Sequence, residues 1–177
     1  DYDETFASVM ATKSFRTLLV IWNLDASHMM EHWDIKQAFV NAPLSQTLYM
    51  HPVAGFGMDG KVLRLKKALY GTKQAAREWQ SFLKSKLVEI GGVPCLKDEC
   101  VYIFREGDGW LYLSTHVDHL FPLFNPAGKC IRDKVFEHLS KSFVVEARGE
   151  VAWALSTKIE RDANKGILKI SQEEDIN

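Results

Sequence analysis

Trp33-Asp34-Ile35-Lys36-Gln37-Ala38-Phe39-Val40 and Ser114-Thr115-His116-Val117-Asp118-His119-Leu120 decide how this chain folds. Each places a carboxylate, Asp34 or Asp118, inside an apolar, strand-like run. A buried acid is costly unless it is paired or binds a cation. Two such acids on neighbouring strands would make a divalent-metal site of the kind that drives phosphoryl transfer. The second run carries His119 where such a site would want another carboxylate.

Outward from these runs, the pattern alternates between helix and strand. Val9, Phe15, Leu18, Leu19 and Trp22 recur at helical spacing over residues 7–22. Residues 32–36 read as a buried strand, with a turn at Asn41–Leu44. Leu48–Met50 and Val62–Leu65 read as short strands around the loop Ala54–Gly60. The spacing predicts a helix over 74–90, ended by Gly91-Gly92. Cys100–Phe104 and Trp110–Val117 read as a hairpin around Glu106–Gly109. Helical spacing returns over 128–143, and Val151–Glu160 with Ile167–Ile170 reads as a last hairpin. Antiparallel strands covered by helices on one face give an α+β fold.

The length of 177 residues suits one domain with its own core. No run approaches the roughly 18 apolar residues of a membrane-spanning helix. The acidic start, Asp1-Tyr2-Asp3-Glu4, lacks the pattern of a signal peptide. Cys95, Cys100 and Cys130 have no zinc-ribbon spacing, so the reading is a reduced, intracellular protein of cytoplasm or nucleus. The absence of Met at position 1 suggests a fragment of a longer chain.

The net charge of -1 hides an uneven distribution. Lys61, Arg64, Lys66, Lys67, Lys73, Arg77, Lys84 and Lys86 face a single acid, Glu78, within residues 61–86. Such a stretch is either a solvated helix face or a surface for a phosphate backbone.

Each chemical candidate has a plain alternative. Asp34 could cap a turn at Lys36–Val40, and Asp118 could be a strand-end acid bonded to a turn. His28-Met29-Met30-Glu31-His32 matches an inverted zinc-protease pattern, but it runs into a strand where a helix would be needed. If residues 114–120 form one strand, His116 and Asp118 share a face and His119 points away. Cys95 and Cys100 read as core thiols.

Several blocks together resemble the reverse transcriptase of copia-type LTR retrotransposons. Asp1–Phe6 resembles its DYDETF opening, and Trp33–Val40 its LDVKNAFL block. Leu48–Phe56 resembles VYMxQPxGF, and Leu65–Trp79 is close to LKKALYGLKQAPRAW. Lys97–Ile103 resembles KADPCVYI, His116–Leu120 falls at YVDDIL, and Ile167–Gln172 resembles GIxLSQ. The blocks occur in family order along nearly the whole chain.

The resemblance implies a polymerase palm, an antiparallel sheet with two helices behind it, with fingers and thumb incomplete. It implies a single domain over 1–177 that begins after the basic finger strands and stops before any RNase H. It implies that Asp34 and Asp118 are catalytic and hold Mg²⁺, or Mn²⁺. Phe39, Tyr70, Gly71 and Lys73 would line the nucleotide pocket. Lys61, Arg64, Lys66, Lys67 and Arg77 would face nucleic acid. The implied partners are an RNA template, a DNA primer and dNTP, within a larger polyprotein, with no membrane.

The departures are as informative. The family's Tyr-Val-Asp-Asp is His116-Val117-Asp118-His119 here, so one carboxylate is lost. Thr72 replaces a usual Leu and Ala76 a usual Pro. Trp153–Ile159 replaces a YFLGIEI-like run and puts Ser156 at its Gly. Two readings follow: an RNA-directed DNA polymerase with weak or no activity, or a catalytically inactive domain that binds nucleic acid or a protein partner.

Overall fold

The computed structural model describes residues 7–52, 55, 60–72 and 74–172. The opening block 1–6, Lys73 and most of the loop 54–60 therefore lie outside the described residues. Helix α1 (Thr12–Leu24) precedes strand β1 (Met29–Ile35), the short helix α2 (Ala38–Asn41), and strands β2 (Tyr49–Met50) and β3 (Leu63–Arg64). Helix α3 (Ala75–Glu89) leads into β4 (Val93–Cys95), β5 (Asp98–Glu106), β6 (Gly109–His116) and β7 (His119–Phe124). Helix α4 (Lys129–Ser140) is followed by β8 (Val145–Glu150), β9 (Trp153–Ala154), β10 (Thr157–Asp162) and β11 (Ile167–Ser171).

Six strands form one sheet in the order β4-β5-β6-β7-β1-β8, with every neighbouring pair antiparallel. A three-stranded sheet, β11-β10-β9, and the two-stranded β2-β3 complete an α+β fold. Among the described residues, no helix is long and apolar enough to cross a membrane.

The expected hairpin at Glu106–Gly109 forms, with Glu106 opposite Gly109. Helix α3 ends as its glycines predict. Gly91 takes φ +87, a left-handed value that costs glycine little, and its N–H donates to the Val88 carbonyl. At Gly92 a Cβ would sit 2.7 Å from both the Leu87 carbonyl oxygen and the Phe104 ring, so only glycine fits between helix end and sheet.

The main sheet is apolar on both faces, which corrects the expectation of helices on one face only. Leu120 and Phe124 of β7 join Trp79, Leu83 and Leu87 of α3 and Ile131, Val135 and Leu139 of α4 in one core. Phe121 and Leu123 of the same strand join Phe15, Leu18, Leu19 and Trp22 of α1 and Ile159 of β10 in a second core. A strand buried on both sides needs cover on both sides.

Three further strands escaped the sequence pattern. Strand β7 lacks alternation because it is buried on both faces. Strand β8 lies at the sheet edge and is mostly exposed and charged, so it too carries no apolar period; charge on an edge discourages pairing with another chain. Strand β4 is only three residues long. The run Val151–Glu160 is not one strand, because Leu155 and Ser156 both turn left-handed, at φ +51 and +56, and break it into β9 and β10.

Candidate active site

Three neighbouring strands converge on Asp34. Antiparallel register sets Asp34 opposite His119 of β7 on one side and opposite Glu146 of β8 on the other. The Ile35 N–H donates to the Asp118 carbonyl at 2.8 Å, fixing the end of β1 against the β6–β7 turn. That turn is also held from α3, where Trp79 Nε1 donates to the Val117 carbonyl at 2.6 Å.

Asp118 does not lie in a strand, contrary to the sequence expectation. It follows Val117, whose φ of +56 turns the chain, and the two residues form the tight connection between β6 and β7. His116 and His119 are therefore opposite partners across the hairpin and line the same cavity. The turn reverses the strand, so alternation counted straight through 114–120 fails.

Asp34, Asp118 and His119 each offer one ligand atom within 4.8 Å of the others. The two acids picked from sequence are thus brought together, with the histidine between them. Nδ1 of His119 is 3.7 Å from Asp34 Oδ1, and its Nε2 is 3.7 Å from Asp118 Oδ1.

Asp34 is 6% exposed and already has cationic partners. Its Oδ2 accepts from Lys36 Nζ at 2.9 Å and from Arg148 Nη2 at 2.8 Å. Burial works to raise its pKa, but the hydrogen bonds and charges of Arg148 and Lys36 outweigh it and hold the carboxyl below the usual range. Glu146 sits 3.1 Å from Lys36 and 3.5 Å from Arg148, completing a four-membered ionic cluster.

Sequence reasoning gave Arg148 and His32 no part in this site. Arg148 belongs to the edge strand that lacks an apolar period, so nothing local marks it. His32 precedes Asp34 by two residues in β1, a spacing that puts both on one face of the strand. His32 Nε2 and His119 Nδ1 face each other at 3.0 Å. The His32 ring stacks on Phe121, with centroids 5.1 Å apart. Burial first, and then the neighbouring His119, hold His32 below the usual histidine range. His28 is not part of the cluster: its Nδ1 pairs with the Ile21 carbonyl and its ring meets Trp110. Glu31 binds Arg132, so the zinc-protease pattern has no structural counterpart.

These donors do not fit a pair of Mg²⁺ ions. Magnesium requires oxygen ligands in near-octahedral array. Here two carboxylates remain, one of them has an oxygen engaged by two cations, and His119 supplies nitrogen.

Of the residues that the resemblance places at a nucleotide pocket, two meet in the structure. Phe39 and Tyr70 are in ring contact, with centroids 4.7 Å apart. Gly71 adopts φ +85 beside them in sequence, whereas Lys73 is outside the described residues. Phe39 shares a small cavity with Trp79 and Val117, which brings it next to the turn that carries Asp118. Lys61, Arg64, Lys66, Lys67 and Arg77 are all exposed. Lys67 Nζ donates to the Asn41 carbonyl, and Lys61, Arg64 and Lys66 make no ion pair among the described residues.

The family model described as reverse transcriptase (RNA-dependent DNA polymerase) matches residues 1–177. The retrovirus-related Pol polyprotein from transposon TNT 1-94 of Nicotiana tabacum is 34% identical over 99% of this chain and 13% of its own length. The corresponding polyprotein from transposon RE1 of Arabidopsis thaliana is 30% identical over 91% of the chain and 11% of its own length. The Ty1-DR4 Gag-Pol polyprotein of Saccharomyces cerevisiae is 35% identical over 45% of the chain and 5% of its own length. The chain thus spans about an eighth of the length of the plant relatives. With the family model matched from end to end and Pol polyproteins of copia-type transposons as relatives, the chain belongs to the reverse transcriptase (RNA-dependent DNA polymerase) family.

Proposed function

We propose that this reverse-transcriptase-like domain keeps the nucleic-acid face of its family but has lost efficient Mg²⁺-dependent nucleotidyl transfer. The observation that carries the reading is the state of Asp34. Its Oδ2 is ion-paired to Lys36 and Arg148, and His119 stands across the strand where the family has a carboxylate. Phosphoryl transfer by two metals needs anionic oxygens to gather the ions. A centre whose carboxylate is offset by two side-chain cations attracts them weakly. Part of a larger Pol polyprotein is the context that the relatives suggest.

Primer extension on an RNA template, with Mg²⁺ or Mn²⁺ and dNTP, tests this. The unaltered chain is expected to give no more than a trace of product. His119→Asp combined with Arg148→Leu is expected to raise extension. Robust extension by the unaltered chain that Asp34→Ala abolishes would overturn the proposal.

A second reading, a nucleic-acid-binding module, draws on the exposed Lys61, Arg64 and Lys66. It is compatible with the first and is separated from it by binding measurements alone.

A further inference from the structure

The side chains around His119 form a donor set unlike the one the family's chemistry needs. Three imidazoles, His32, His116 and His119, line one cavity of about 270 Å³ bounded by Phe121 and by the Trp153–Ser156 segment. Two come from β1 and β7, which antiparallel pairing holds side by side. Their ring nitrogens, His32 Nε2 and His119 Nδ1, lie 3.0 Å apart. Two nitrogens on one tetrahedral zinc ion, at bond lengths of about 2.0–2.1 Å, would stand roughly 3.3 Å apart. The pair therefore needs to open by only a few tenths of an ångström. Asp34 Oδ1, the oxygen not engaged by Lys36 or Arg148, faces the same His119 Nδ1 at 3.7 Å.

The surroundings support the ring orientation that a metal would need. On the far side of His119, Nε2 faces Asp118 Oδ1 at 3.7 Å. A carboxylate behind the outer nitrogen is the usual means of fixing the tautomer of a ligating histidine. His116 Nδ1 is buried and has no hydrogen-bond partner among the described residues, which leaves one more nitrogen at the cavity wall.

We infer that this cluster is a Zn²⁺ site built on His32 Nε2 and His119 Nδ1, with Asp34 Oδ1 the carboxylate oxygen nearest His119 Nδ1, Asp118 beside its outer nitrogen, and His116 or water completing the shell once the two rings open around the ion. Imidazole suits zinc and disfavours magnesium, so the substitution that removes a Mg²⁺ ligand creates one for zinc. Neutral imidazoles also make the site less dependent on net negative charge, which Lys36 and Arg148 reduce. The inference rests on the reading that the centre is no longer a two-magnesium site.

Titration of the 177-residue chain with Zn²⁺ by calorimetry, with Co²⁺ as a spectroscopic substitute, tests it. One ion per chain is expected, with the visible absorption of tetrahedral Co²⁺. His32→Ala and His119→Ala should each weaken Zn²⁺ binding about tenfold or more, while His51→Ala should not. His119→Asp should shift preference toward Mn²⁺ and Mg²⁺. Zn²⁺ should raise the Tm of the unaltered chain but not of His32→Gln, which reports loss of the ligand even if the alanine variant folds poorly. No uptake by the unaltered chain, or equal uptake by a folded His32→Gln variant, would overturn the inference. Zinc uptake is read without nucleic acid, so its failure leaves the primer-extension outcome untouched, and the converse holds.

Discussion

Arg148 Nη2 donates to Asp34 Oδ2 at 2.8 Å across 114 residues of sequence, from the edge strand β8 to the neighbouring β1. The acid that the family resemblance marks as a metal ligand is thus already neutralised by its own chain. Lys36 adds a second cation at the same oxygen, and Glu146 ties the two cations together.

Replacing Arg148 by leucine removes one of these charges without shortening the edge strand. Affinity for Mn²⁺ should rise about tenfold, since unit charges near 4 Å interact by about 1–4 kcal/mol at a protein surface. Mn²⁺ binding followed by electron paramagnetic resonance would measure it. Equal affinity in the two proteins would mean that Arg148 does not oppose an ion at Asp34.

The same ion pair makes a pH prediction. Asp34 has a folded pKa below its unfolded value of about 4. Its contribution to stability is therefore complete above pH ~4 and is lost as pH falls through the lower folded value. The unaltered chain should be more stable than Arg148→Leu at pH 6, and the gap should close as pH drops toward 3. Urea unfolding across that range is the measurement. A gap that persists unchanged at pH 3 would assign the difference to packing.

Ser156 occupies a position with φ +56 in the two-residue turn joining β9 to β10, directly after Leu155 at φ +51. Both central residues of such a turn need positive φ, which glycine adopts at least cost. Ser156→Gly should stabilise the chain by about 0.5–1 kcal/mol, a rise of about 1–4 °C in Tm. A lower melting temperature would show that the serine makes a compensating interaction.

Lys61, Arg64 and Lys66 give the nucleic-acid reading its test. Binding to an RNA–DNA duplex should weaken steeply with salt, and each alanine substitution should reduce the slope of log K against log salt by about one. Fluorescence anisotropy at several salt concentrations measures both. Salt-independent binding would point to a partner other than a phosphate backbone.

Much of this protein is determined by local sequence. The stripe Ala75, Trp79, Leu83, Leu87 defines α3, Gly91-Gly92 ends it, and the Gly107 turn makes the β5–β6 hairpin. These features depend on neighbours a few residues apart, so periodicity and turn chemistry reveal them. Asp34 was legible because an acid in an apolar run is costly wherever the run folds, whereas Asp118 lies in a half-exposed turn and was marked by the resemblance. Three things were decided only in the folded molecule. The turn at Val117 put Asp118 outside the strand and set His116 opposite His119. Strand order brought His32 within 3.0 Å of His119. The edge strand β8, whose charged residues carry no apolar period, delivered Arg148 to Asp34. The last two are contacts between residues distant in sequence, fixed by strand register and not by any local preference. The sequence marks the two carboxylates, but the cations paired with Asp34 are set by the strand laid beside it and by its own strand end.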